Sequence, residues 1–221
     1  ELYPAYHADR EAAFPEELRP QWEDAGEFFS SFGWTIATSD ELEADDLLGS
    51  YAARESKAGG ETLIMTGDRD MFQCADRSTR VLYVSTGKQG GELVGPAEVR
   101  KRYGIPPELV PDFIALRGDP SDGLPGAKGV GERTAAELLR RHGSLEGVLD
   151  AAFREPRPAL RKALTGSRDE LLAFKEIATL REVKVSRPRD KRTDYRGAAK
   201  AAEERGMNRL AARLREREAK R

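Results

Sequence analysis

Apolar and polar positions alternate with two different periods along this chain, and the change of period marks its organisation. Residues 1–30 carry apolar and aromatic side chains (Tyr3, Tyr6, Phe14, Trp22) at helical spacing, with breaks expected at Pro15 and Pro20. A second helix is expected over 42–57, ended by Gly59-Gly60. Thr62-Leu63-Ile64-Met65-Thr66, closed by Gly67, is a short apolar run of the kind that forms a buried parallel strand. A helical turn follows from about Asp70 to Asp76. Val81–Val84 predicts a second strand, turned by Gly87-Lys88-Gln89-Gly90-Gly91 into an edge strand at Glu92–Val94. After Pro96 the pattern is helical to the end, punctuated by Pro106-Pro107, Gly118, Gly123–Gly131, Gly143 and Gly206. The fold class read from this order is α/β, with a mostly parallel sheet flanked by helices and then an all-helical region.

Three segments result: an α/β part over 1–118, a helical part over 119–185, and a C-terminal helical segment over 186–221. The length of 221 residues suffices for one large or two small cores. No run of 18 apolar residues occurs, and the start, Glu1-Leu2-Tyr3-Pro4, has neither an initiator methionine nor a signal sequence. Cys74 is the single cysteine, which excludes an internal disulfide and suits a reducing cytoplasm. The net charge of −2 hides an asymmetry: residues 181–221 hold 15 basic against 7 acidic residues, and residues 1–180 hold 22 against 32. Such a division suggests an acidic site with basic contact surfaces, or a solvated basic helix at the end of the chain. Within that helix, Met207, Leu210 and Leu214 at helical spacing favour packing with the basic residues outward.

The carboxylates are clustered in three places. Glu43-Ala44-Asp45-Asp46 opens a helix, Gly67-Asp68-Arg69-Asp70 follows a strand, and Gly118-Asp119-Pro120-Ser121-Asp122-Gly123 occupies a turn. Glu43 and Asp46, three apart, share a helix face, while Asp45 points elsewhere unless the first turn is irregular. Asp68 lies just past the carboxyl end of a strand, where open α/β sheets place their sites, and Asp70 can enter the same crevice. Each cluster alone is compatible with helix capping or turn chemistry. Gathered together, seven carboxylates repel one another unless cations neutralise them, and hard divalent ions such as Mg²⁺ or Mn²⁺ prefer oxygen ligands. Two ions about 4 Å apart would suit displacement at a phosphodiester. The histidines, His7 and His142, form no competing ligand set.

Leu124-Pro125-Gly126-Ala127-Lys128-Gly129-Val130-Gly131, running into Glu132-Arg133-Thr134, fits a helix–hairpin–helix. Gly126, Gly129 and Gly131 would let backbone N–H groups approach a phosphate, and the helix start adds its dipole. Lys128, Arg133 and Thr134 would complete a grip on the nucleic-acid backbone that carries no sequence information. The competing reading is a glycine-rich turn between packed helices.

Together these motifs resemble the 5′-nuclease family, which includes flap endonucleases and the 5′-nuclease domain of bacterial DNA polymerase I. The likeness runs from Glu1–Arg10 through Glu-Ala-Asp-Asp, Thr-Gly-Asp-Arg-Asp and Leu116–Asp122 to the hairpin and His142–Glu146. The resemblance implies a PIN-like core with Glu43, Asp45, Asp46 and Asp68 at a first metal site and Asp70, Asp119 and Asp122 at a second. It implies an arch over residues 1–25, with Arg10 holding the scissile phosphate, and a K⁺ ion held by backbone carbonyls near Gly126–Gly131. His7 stands where the family usually has Lys, and two further acidic residues, the first on an N-terminal strand, are missing or lie before Glu1.

The expected function is metal-dependent 5′ to 3′ exonuclease and 5′-flap endonuclease action on DNA, with Asp68, Asp70 and Arg10 catalytic. The substrate would be a flap, a 5′ overhang or a gapped duplex. The protein would be a monomer in the bacterial cytoplasm, serving replication or repair, and a stand-alone nuclease without a polymerase. The alternatives are a non-catalytic helix–hairpin–helix DNA-binding protein, a PIN-like ribonuclease, or a degraded 5′-nuclease paralogue.

Overall fold

A computed structural model describes residues 3, 15–85 and 90–220 of the chain. Its described residues divide into two compact units, one of 42–186 with Tyr3, the other of 15–41 with 187–220.

The first unit is built on a sheet of three strands in the order β1 (Thr62–Thr66), β2 (Thr79–Val84), β3 (Gly91–Val94). β1 and β2 are parallel, with Ile64 opposite Val81; β2 and β3 are antiparallel, with Val81 opposite Val94. Ile64, Val81 and Val94 are buried, whereas Leu63 and Met65 on the other face of β1 are more than half exposed. The run expected to form a buried parallel strand is thus a parallel strand whose Ile64 side is buried and whose Leu63 and Met65 side is exposed. Helix α2 (Ala44–Lys57) precedes the sheet, and a 3₁₀ turn over Asp70–Cys74 links β1 to β2.

Six helices follow: α3 (Pro96–Tyr103), α4 (Val110–Arg117), α5 (Glu132–His142), α6 (Leu145–Ala151), α7 (Pro158–Gly166) and α8 (Arg168–Ala178). α4 is the axis of the unit, buried from Val110 to Leu116. Such a helix has no polar face, and the one charge it carries inward, Asp112, is 3% exposed. Its Oδ1 accepts the Leu145 N–H at 2.6 Å and pairs with Lys175 Nζ at 3.0 Å, which also bonds Glu146. The carboxylate thereby satisfies an orphan N–H at the start of α6 and a cation on α8. Asp112→Ala would leave the Leu145 N–H without a partner and Lys175 with Glu146 alone, and urea denaturation should show a loss of about 3 kcal/mol. A loss under about 1 kcal/mol would mean that water replaces the carboxylate.

The longest break in the helical pattern after Gly131 is one that the sequence reading did not mark. Residues 180–194 form no regular element. Pro188 and the charged run from Arg187 to Arg192 offer no apolar stripe for a helix to bury. The N–H groups of Leu180, Arg181 and Val183 bond instead to side chains: Gln73, Asp46 and Ser50.

The second unit contains α1 (Arg19–Ser30), α9 (Tyr195–Glu204) and α10 (Asn208–Ala219). Pro20 lies in the first turn of α1, where its missing N–H costs nothing, so it starts the helix instead of breaking it. The small core joins Phe32, Ala198, Ala199, Ala202, Ala211 and Leu214, with Phe28, Met207 and Leu210 against it. Met207, Leu210 and Leu214 therefore face inward, as their spacing requires. Arg205 pairs with Asp24 and lies over the ring of Phe28 at 5.5 Å. No helix of the described residues is long and apolar enough to cross a membrane.

Candidate functional site

The turn after β1 organises the first carboxylates. Thr66 Oγ1 accepts the Asp68 N–H at 3.0 Å, and Asp68 Oδ1 accepts the Asp70 N–H at 2.9 Å. These two local bonds fold the chain back at the strand end, as Asp and Thr do in turns, and place both acids on one side. Asp70 then opens the 3₁₀ turn, whose Met71 and Phe72 are fully buried.

The second group comes from the loop after α4. Gly118, with φ 84°, ends the helix. Asp119 and Leu124 exchange two backbone bonds of 2.8 Å, closing the loop into a fixed shape. Asp119 Oδ1 accepts the Ser121 N–H at 2.9 Å and bonds the Ser121 hydroxyl, while Oδ2 pairs with Arg117 Nη2 at 3.0 Å. Asp122 is buried within this loop at 8% exposure.

These groups act on one another. Burial raises the Asp70 carboxyl to about 8, helped by Asp68, Asp122 and Asp119 and opposed by Arg117. Four acids from two separate segments of sequence therefore share one electrostatic site, and an all-oxygen set of this kind suits a hard divalent cation. Among the described residues no three of them converge closely enough to enclose one ion. Any ion taken up there would have few direct protein contacts and keep its waters, the ordinary habit of Mg²⁺. Arg117, which the sequence reading passed over, is the resident counter-charge; its place two residues before Asp119 was the available signal.

The helix-start cluster is arranged differently. Glu43 is the N-cap residue of α2 and is exposed; Asp45 and Asp46 lie in the first turn. Asp46 is buried and its Oδ1 accepts the Arg181 N–H at 2.8 Å. Burial pushes the Cys74 thiol up to about 12, and the charges of Asp45 and Asp76 add to it. Cys74 is thus a neutral packing group, as expected from the sequence. Arg10 and His7 lie outside the described residues.

The hairpin segment separates two kinds of glycine. Gly118 (φ 84°) and Gly126 (φ 65°) face each other: a Cβ on Gly118 would fall 2.6 Å from Leu124 O, and one on Gly126 would meet the backbone of Arg117 and Gly118. A Cβ on Gly129 or Gly131 would meet nothing within 4 Å. Gly131 is the N-cap residue of α5, followed by exposed Arg133 and half-buried Thr134, with Lys128 exposed on the preceding turn. The anchoring side chains, Ala127 and Val130, are buried. An open cleft of about 560 Å³ runs beside this helix start, lined by residues that include Arg102, Tyr103, Arg133, Thr134 and Arg140.

Comparison with known proteins agrees with this architecture. Residues 1–104 match the "5'-3' exonuclease, N-terminal resolvase-like domain" and residues 105–196 the "5'-3' exonuclease, C-terminal SAM fold". A 5'-3' exonuclease of Mycobacterium tuberculosis is 43% identical over 170 residues, covering 69% of this chain and 53% of the relative. The thermostable DNA polymerase I of Thermus filiformis is 37% identical over 181 residues, covering 82% of this chain and 21% of the polymerase. The chain thus spans about half the length of the exonuclease relative and about a fifth of the polymerase. Among solved structures, a bacteriophage T5 flap endonuclease in complex with DNA and metal ions superposes with a TM-score of 0.69 at 15% identity, covering 97% of this chain and 77% of that one. That likeness establishes the fold, and the two adjoining domain matches establish the kinship: the chain belongs to the 5'-3' exonuclease family.

Proposed function

We propose that the chain is a structure-specific 5′-nuclease that hydrolyses DNA phosphodiesters as a 5′ to 3′ exonuclease and 5′-flap endonuclease. The observation that carries this reading is the site around Asp70, a buried carboxyl that has Asp68, Asp122 and Asp119 beside it and is raised, first by burial and then by their charges, to about 8. Gathering these carboxylates is costly without a counter-ion, and divalent cations would remove that cost.

Two ions, Mg²⁺ or Mn²⁺, would be held by Glu43, Asp45, Asp46 and Asp68 on one side and by Asp70, Asp119 and Asp122 on the other. Once bound they supply the Lewis acidity and charge neutralisation that phosphodiester hydrolysis requires. Asp68 and Asp70, fixed by the turn after β1, orient the site against the strand end. Asp119 is held by Ser121 and Arg117 and presents a pre-shaped carboxylate. Arg10 is assigned to the scissile phosphate. Lys128, Gly129, Gly131, Arg133 and Thr134 bind the duplex backbone, since an open N-cap glycine and flanking cations suit phosphate, and Gly126 shapes the loop that presents them. Backbone carbonyls of the same hairpin are the proposed K⁺ site. The protein acts as a monomer on flap, 5′-overhang or gapped DNA in the cytoplasm. The T5 relative, in complex with DNA and metal ions, supports this reading by its fold.

The test is incubation of a 5′-labelled flap duplex with Mg²⁺ or Mn²⁺, and with chelator. Incision at the junction is expected with either ion and none with chelator. Binding without incision in any metal would favour a non-catalytic DNA-binding role, and preferential cutting of RNA would favour a PIN-like ribonuclease.

A further inference from the structure

Residues 180–183, which belong to no helix or strand, join two of the carboxylate-bearing elements. On one side stands Gln73, in the turn that begins at Asp70. Its Nε2 donates to the Asp70 carbonyl at 2.9 Å and to the Ala178 carbonyl at 3.0 Å, and its Oε1 accepts the Leu180 N–H at 3.2 Å. Both donor hydrogens of the amide are thereby used. On the other side stands α2. Asp46 Oδ1 accepts the Arg181 N–H at 2.8 Å, while Ser50 Oγ accepts the Val183 N–H at 3.0 Å and donates to the Arg181 carbonyl at 3.3 Å. Ser50 is 3% exposed. The elements also touch closely at Gly49, where a Cβ would fall 3.0 Å from Leu180 Cδ1 and 3.6 Å from Cys74 Sγ.

The strap therefore has its backbone groups satisfied by side chains from the helix that carries Asp45 and Asp46 and from the turn that carries Asp70. Moving either element relative to the other would break half-buried hydrogen bonds at the strap. We infer that Gln73 and Ser50 are positioning residues: through the strap at Leu180–Val183 they fix the separation between the Asp46 and Asp70 carboxylates for divalent-ion binding. This inference rests on the reading of those carboxylates as ion ligands. Neither residue needs to touch DNA or an ion to act in this way. Groups that orient a ligand from behind change ion affinity by about 10–100-fold when they are removed.

The measurement is thermal unfolding of the full chain titrated with MnCl₂, in the wild type, Gln73→Met, Ser50→Ala and the double variant. Each single variant is expected to raise the half-saturating Mn²⁺ concentration about tenfold. The double variant should fall well short of the product of the two shifts, because both cut the same strap. Duplex binding measured in chelator should stay as in the wild type. An unchanged Mn²⁺ midpoint with a lower ion-free melting temperature would overturn the inference and leave the strap a purely structural tie. A wild type that shows no Mn²⁺-dependent shift and no flap incision would instead overturn the ion-ligand reading, and this inference with it. If one single variant does not fold, the other decides, since Gln73 and Ser50 hold the strap from opposite sides.

Discussion

Asp70→Asn should reduce flap cleavage by about 10²–10⁴-fold while making the ion-free protein more stable. The loss follows from the proposed role of Asp70, since removing one charged oxygen ligand would weaken a site whose ions supply several kcal/mol of transition-state stabilisation. The gain follows from the position of the acid. Its carboxyl is raised from 3.8 to about 8, first by burial and then by Asp68, Asp122 and Asp119. Below the unfolded value both states carry the proton and the group contributes nothing. Between about 4 and 8 the unfolded chain releases the proton and the folded chain keeps it, so stability falls as pH rises through that window; above it the penalty is complete. With chelator present, the wild type should therefore melt at a lower temperature at pH 8.5 than at pH 5. Asn cannot ionise, so the variant should lose this slope and gain on the order of 3 kcal/mol at the upper pH. If Asp70 is an ion ligand as proposed, Mn²⁺ at a thousand times the dissociation constant should stabilise the wild type alone, by about 4.1 kcal/mol, and so reverse the order of the two proteins. A variant that cleaves normally, or a wild type whose ion-free stability is flat from pH 5 to 8.5, would remove Asp70 from the site.

The parts of this fold that the sequence made legible are those set by local chemistry. Thr62–Thr66 is a strand because its run of apolar residues ends at Gly67, and the turn over Asp70–Cys74 follows from Asp68 bonding the Asp70 N–H. The glycines at 118 and 143 end helices where they were expected to. The carboxylates were visible too, because acids placed at a helix start, a strand end and a tight loop are conspicuous. What was not legible depends on partners far along the chain. The strap is irregular because its N–H groups find Gln73, Asp46 and Ser50, more than a hundred residues away. The packing of α1 with α9 and α10 rests on alanines and on Phe28 and Phe32, whose spacing says only that each helix has an apolar face. Exposure of Leu63 and Met65 likewise cannot be inferred from an apolar run, since periodicity does not distinguish one covered face from two.

The glycines near the hairpin offer the second large effect, because two changes of the same kind should have opposite consequences. Gly126→Ala places a methyl group against the backbone of Arg117 and Gly118, at a φ of 65° that L residues rarely adopt. The opposing atoms are main chain at the end of α4, in the most buried part of the unit, and cannot rotate aside. A loss of about 4 kcal/mol is expected, from strain together with displacement of the loop that holds Asp119 and Asp122. Gly131→Ala adds the same methyl group at a φ of −96°, into open space. Its melting temperature should stay within about 2 °C of the wild type, the scale of a surface change. Yet the methyl would stand between the N-terminus of α5 and any phosphate brought against it, so duplex binding in chelator should weaken about tenfold, the cost of one charge-assisted hydrogen bond. The separation is what distinguishes a glycine required by packing from one required by a ligand. Equal destabilisation by both changes, with binding lost only in proportion, would make the segment a packed turn. A stable Gly131→Ala with weakened binding would make it the surface that holds the DNA backbone.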